Sequence, residues 1–144
     1  MTHILSDIKE QIADKLTQAL SSLYPASELR IGTDDLVYPP QSDMGDLSLP
    51  CFRLAKEAGK SPASVASDLV GAFGRLESIA ATRAQGPYFN IVLRAGFLSR
   101  EIIGAVFGQG EDYGKSDDQG SKILLEFSNA NTHKLYHIGH LRNL

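Results

Sequence analysis

Residues 79–94 read IAATRAQGPYFNIVLR, and the fold turns on how they are read. Two β-prone runs, Ile79 to Ala84 and Tyr88 to Arg94, flank Gln85-Gly86-Pro87, a tight connection made of residues that favour turns. This predicts a hairpin and therefore an antiparallel sheet. Side chains alternate along a strand, so Phe89, Ile91 and Leu93 fall on one face, the core. Tyr88, Asn90, Val92 and Arg94 fall on the other, which is expected to be open.

Helical patterns surround the hairpin. Upstream, Ile4, Leu5, Ile8, Ile12, Leu16, Ala19, Leu20 and Leu23 recur at helical spacing, with Asp7, Lys9, Glu10, Asp14 and Lys15 on the other side. Tyr24-Pro25 ends that helix. Leu29 to Thr33 and Leu36 to Tyr38 read as short strands, and Leu47 and Leu49 resume one after the turn-rich YPPQSDMGD. A short helix is expected over Cys51 to Ala58. Ser61-Pro62 then supplies an N-cap and a first-turn proline for a helix carrying Val65, Leu69, Val70 and Phe73, stopped at Gly74. Downstream, Leu98, Ile102, Val106 and Phe107 mark a further helix, before the acidic, glycine-containing linker GQGEDYGKSDDQGS. No internal repeat or low-complexity segment interrupts this order. Residues 1–110 therefore read as an α+β two-layer domain with helices on one face of a small, mostly antiparallel sheet. Residues 111–121 read as a linker, and 122–144 as the start of a different α/β domain. KILLEF at 122–127 is the continuous apolar run of a strand buried on both faces of a parallel sheet.

With 144 residues, 42% hydrophobic and 22% charged, the chain can bury a modest core. The net charge of -3 argues against coating nucleic acid by bulk charge, though a local basic strip is compatible with it. The single cysteine, Cys51, excludes an intramolecular disulfide and reads as a small buried apolar residue. No leader or long apolar run is present, so a cytoplasmic location and no membrane role are expected.

Two places carry candidate chemistry. On the open face of the hairpin, Tyr88 offers a ring for stacking and Asn90 an amide for a base edge, with Gln85 beside them and Arg94 further along for phosphate. Polar strand positions near a turn explain the same residues, and pattern alone leaves both readings open. At the end of the chain, KILLEFSNANTHKLYHIGHLRNL has the strand, loop and helix layout that presents backbone N–H groups and a positive dipole end to phosphate. His137 and His140 share the face of a first helical turn, and Gly139 leaves room for an adenine ring. Donors fixed in advance stabilise the charge that builds at an α-phosphate. His133, His137 and His140 also fall at helical spacing, but no cysteine or fitting carboxylate cluster accompanies them, and no metal site is expected.

EFSNAN and HIGHLRN, with Lys134 between them, resemble the first signature region of class I aminoacyl-tRNA synthetases, and specifically of arginyl-tRNA synthetases. GDLSLPCFRLAK, the Ser-Pro helix, GPYFN and the Tyr-Gly before the linker resemble that family's N-terminal additional domain. The resemblance implies a full enzyme that joins arginine to tRNA(Arg) through arginyl-adenylate, using ATP with Mg2+, as a monomer. It places Glu126 and Asn131 in an arginine pocket, and Asn129, Lys134, His137, Gly139 and His140 at ATP, with His137 and His140 catalytic. Gln85, Tyr88 and Asn90 would read an unpaired base, typically adenine, in the tRNA D-loop. Two departures stand out: Ser128-Asn129-Ala130-Asn131 replaces the usual Ser-Ser-Pro-Asn, exchanging a hydroxyl for an amide at Asn129, and Leu135 replaces a proline common after the lysine.

The remainder of a doubly wound sheet, the second signature loop and an anticodon-binding domain are not in the sequence. The chain thus reads as an N-terminal domain followed by the first strand and helix start of a Rossmann-type catalytic domain, with no tightly bound cofactor. A free-standing tRNA-binding module is the competing reading, although it has no need of His137 to His140. Without its sheet, the tail at 121–144 is expected to be disordered or to pair with another copy of the chain. The 144 residues alone are expected to make no arginyl-adenylate; arginine-dependent ATP–pyrophosphate exchange by the pure chain would contradict this.

Overall fold

The computed structural model describes residues 4–26 and 28–115, together with positions 120, 122, 124, 135, 137 and 138. The chain divides into two compact units, Met1–Gly114 and Lys115–Leu144. In the first, the elements run α1 (Ile4–Leu23), β1 (Leu47–Pro50), α2 (Phe52–Ala58), α3 (Pro62–Ala72), β2 (Ile79–Gln85), β3 (Tyr88–Leu93) and α4 (Ala95–Gln109), with short 3-10 turns between some of them. The fold of this unit is α+β, as the sequence predicts. Among the described residues, no helix is long and apolar enough to cross a membrane.

The sheet has three antiparallel strands in the order β1-β3-β2, so β3 is central. Gln85 pairs with Tyr88, which leaves Gly86-Pro87 as a two-residue loop. Gly86 takes φ 55°, the left-handed conformation such a loop needs at its first position. Phe89, Ile91 and Leu93 point into the core, where Phe89 meets Phe73 with ring centroids 5.5 Å apart. α3 packs on β2 and β3, and α1 packs on α3. The α1 stripe Ile8, Ile12, Leu16 and Leu20 is buried, as its spacing dictates. Ser61 caps α3 by accepting a hydrogen bond from the Ser64 N–H, with Pro62 at the first position.

Side-chain ties lock the layers. The Tyr24 hydroxyl and the Lys60 ammonium both donate to Asp68 Oδ2 at 2.8 Å, holding the end of α1 against α3. Those two hydrogen bonds, Lys60 first, depress the Asp68 carboxyl below its usual range. Cys51 is buried and unpaired, and burial pushes its thiol up to about 11.

Two expectations change. Leu29 to Thr33 forms no strand, although Leu29 and Ile31 are buried. The Ile31 N–H donates to Thr17 Oγ1 of α1 at 3.0 Å, so the segment is held by a helix side chain instead of a ladder. Leu36 to Tyr38 contributes a single bridge, Val37 to Ser48. α4 forms where the sequence predicts a helix; Ile102, Val106 and Phe107 on it are exposed, and it touches the core through half-buried Phe97 and Leu98. Beyond the linker, Lys122 and Leu124 are exposed. The rest of the expected strand and helix start lies outside the described residues.

One glycine is demanded by close approach. Gly45 has φ 122°, and a Cβ there would stand 2.7 Å from the Ile91 carbonyl oxygen. The next residue completes the sheet end, since the Asp46 N–H donates to that carbonyl at 2.8 Å and its carboxylate accepts from the Leu93 N–H at 2.7 Å. Gly45→Ala is expected to destabilise the fold by roughly 1–3 kcal/mol, from backbone strain and the clash together, as read by urea unfolding.

Candidate nucleic-acid interface

The register of the hairpin determines which side chains meet on the sheet face opposite Phe89, Ile91 and Leu93. Pairing places Pro50, Tyr88 and Gln85 in one cross-strand row and Ser48, Asn90 and Arg83 in the next. Directly paired residues in adjacent strands lie on the same face. Gln85 and Arg83 are exposed on β2, an edge strand, while Tyr88 is half-buried. The Tyr88 ring is held edge-to-face by Phe52, the first residue of α2, with centroids 5.9 Å apart and planes at 88°. Phe52 itself is 54% exposed.

Asn90 departs from the open-face expectation, being only 1% exposed. Alternation predicts direction, not depth: Asn90 lies on the central strand with neighbours on both sides, whereas Arg83 on the edge stays in solvent. The Ser48 hydroxyl donates to Asn90 Oδ1 at 2.7 Å. That bond engages the carbonyl end of the amide, and Nδ2 is buried with no hydrogen-bond partner among the described residues. A buried donor left without an acceptor costs about 1–3 kcal/mol, a penalty that any acceptor brought to it would offset.

Arg94 also departs from expectation. It follows the end of β3, and its guanidinium donates to the Ile79 carbonyl at 3.2 Å, tying the start of β2 to the start of α4. The sheet-face arginine beside Asn90 is Arg83, which sequence reasoning passed over, along with Ser48 and Phe52. All three depend on pairing register or on a tertiary ring contact, and GDLSLPCFRLAK gives no local sign of either. On the other side of Phe52, a cleft of about 300 Å³ is lined by Asp34, Asp35, Val37, Leu49, Pro50, Arg53 and Leu54 as well as Phe52. Within that cleft Arg53 is paired with Asp35 at 3.1 Å, so its charge is already committed.

Of the terminal candidates, His137 is described and exposed. Glu126, Asn129, Asn131, Lys134, Gly139 and His140 lie outside the described residues. Among the described residues no group of His, Cys, Asp and Glu is arranged to hold a metal ion.

Residues 6–93 match the arginyl tRNA synthetase N terminal domain. The chain belongs to this family. Relatives of the arginyl-tRNA synthetase family named arginine–tRNA ligase include that of Treponema pallidum, 37% identical over 96% of this chain and 25% of the relative. The ligase of Streptococcus equi is 36% identical over 95% of this chain and 24% of its own. Among solved structures, Thermus thermophilus arginyl-tRNA synthetase matches with a TM-score of 0.58 at 27% identity, over 92% of this chain and 21% of that one. The chain spans about a quarter of the length of the curated relatives it matches.

If Asn90 is kept for a ligand and not for the fold, removing both polar partners should be harmless to stability. Asn90→Leu combined with Ser48→Ala is expected to leave the thermal midpoint unchanged or higher, while Ser48→Ala alone lowers it by leaving the amide wholly unpaired. A large loss of stability in the double variant, by thermal melting, would assign the pair to the fold.

Proposed function

We propose that this chain serves an arginine–tRNA ligase, as the part that reads the D-loop of tRNA(Arg) and carries the first ATP-binding signature. The observation that carries the D-loop reading is the buried, unpartnered Nδ2 of Asn90 beside a half-exposed tyrosine ring at a hairpin tip. A flipped-out base stacks on Tyr88, with Gln85 at its edge, and presents an acceptor nitrogen to Asn90 Nδ2. Because Ser48 occupies Oδ1, Asn90 acts toward the base mainly as a donor. Reaching it requires side chains at the face to shift as the base enters, a common change of rotamer on binding.

The ATP side rests on the motif and on the extent of the similarity. Identity to the curated ligases runs over 96% of the chain, beyond the residues 6–93 of the N-terminal domain. In this reading His137 and His140 donate to phosphate, Gly139 admits the adenine, Asn129 and Lys134 complete the ATP side, and Glu126 and Asn131 hold arginine. Residues 122–144 then open a Rossmann-type catalytic domain, joined by the 111–121 linker to the tRNA-recognition domain at 1–110. ATP would enter with Mg2+.

Stacking on an aromatic ring contributes roughly 1–3 kcal/mol per base. Tyr88→Ala is therefore expected to weaken binding of a tRNA(Arg) transcript at least about fivefold. Replacing the D-loop adenine should have a similar effect on the parent chain and little on the variant. Equal affinity across all of these pairs, by fluorescence titration, would contradict the reading.

A further inference from the structure

We propose that Arg83 anchors a backbone phosphate of the RNA segment whose base rests on Tyr88, which rests on the reading of this face as an RNA surface. From Ser78 to Arg100 the sequence contains Arg83, Arg94 and Arg100 and no carboxylate, in a chain whose net charge is -3. The hairpin is thus a local basic strip on an acidic body. Its arginines are not equivalent. Arg100 is paired with Glu77 at 3.1 Å and Glu101 at 3.2 Å, and Arg94 is held by the Ile79 carbonyl. Arg83 is exposed, and among the described residues no hydrogen bond or ion pair engages it.

Register puts this uncommitted guanidinium where a phosphate would pass. Arg83 pairs with Asn90 and stands diagonal to Tyr88 across the β2–β3 ladder. Diagonal neighbours on an antiparallel sheet are about 7–8 Å apart, within reach of a long side chain. A nucleotide whose base lies on the ring and points toward Asn90 carries its sugar and phosphate outward, to the solvent side where the edge strand ends. Guanidinium groups bind phosphate through parallel N–H donors, which fixes orientation as well as supplying charge. The opposite exit, past Phe52, has no such free cation among the described residues: its one arginine, Arg53, is paired with Asp35 at 3.1 Å, and Asp34 lines the same cleft.

A phosphate contact differs from a base contact in its salt response. Each phosphate neutralised on a single strand contributes about 0.7 to the slope of log affinity against log salt, and it carries no sequence information. The test is a titration of the 144-residue chain with a tRNA(Arg) transcript and its D-loop adenine variant, between about 50 and 200 mM salt. Parent, Arg83→Gln, Arg83→Lys and Tyr88→Ala chains are compared. Arg83→Gln is expected to weaken both transcripts alike, about fivefold, and to lower the salt slope by about 0.7. Arg83→Lys should keep the slope and recover part of the affinity, because it retains the charge and loses the fork. If Arg83→Gln matches the parent in affinity and slope while Tyr88→Ala still weakens binding, the anchor is overturned and the base-reading face stands. If Arg83→Gln lowers only the preference for adenine, Arg83 reads the base and the proposal fails. Indifference of all three variants, or no binding by the parent chain at the lowest salt, would remove the face and the anchor together.

Discussion

Strand β3 has to satisfy two neighbours and two faces at once, and the rest of the unit is arranged around it. Its backbone pairs with β1 on one side and β2 on the other. Phe89, Ile91 and Leu93 form the floor against which α3 and, behind it, α1 are packed. Just before β1 begins, Gly45 and Asp46 extend the bonding to Ile91 and Leu93, and only a residue without a side chain fits the first of these positions. Burying a Leu- or Phe-sized side chain stabilises by about 1.5–3 kcal/mol, so the inward residues fix the register of the strand. That register in turn dictates what appears on the far face.

The far face carries a cost in stability. The central strand buries position 90, and there it carries an amide whose Nδ2 has no hydrogen-bond partner among the described residues. Leucine would fit the same environment without that cost. Ser48 engages one end of the amide, its Oδ1, and the other end is left over. Phe52 does the same for direction at Tyr88, setting the ring by an edge-to-face contact instead of leaving it free to turn. Both supports come from β1 and α2, the stretch preceding the hairpin by some distance in sequence, so the face is assembled from two parts of the chain.

Much of this was legible in the sequence where the signal is local. The i, i+4 stripe of Ile8, Ile12, Leu16 and Leu20, the Ser61-Pro62 start and the Gly86-Pro87 loop each report a short-range constraint, and each appears in the structure. The features that escaped are set by distant partners. Leu29 to Ile31 has the composition of a strand, but Thr17 claims its N–H group. Ile102, Val106 and Phe107 repeat at the same spacing as the α1 stripe yet stay exposed, because periodicity describes a face and not what covers it. The depth of Asn90 follows from the strand order β1-β3-β2, which alternation along one strand cannot convey. Arg83 became visible only through its pairing with Asn90.

The account's central claim is that the Tyr88 and Asn90 side of the sheet receives RNA and that the buried amide is completed by it. The most direct measurement is an amide-resolved NMR titration of the chain with a short D-loop hairpin of tRNA(Arg), following the side-chain NH2 signals of Asn90 and Gln85 and the backbone of the hairpin. The account predicts that the Asn90 side-chain signals shift as its Nδ2 gains an acceptor, together with Gln85, Tyr88 and Arg83, while α1 is unaffected. Shifts confined to other surfaces, with the Asn90 side chain unmoved at saturation, would contradict it.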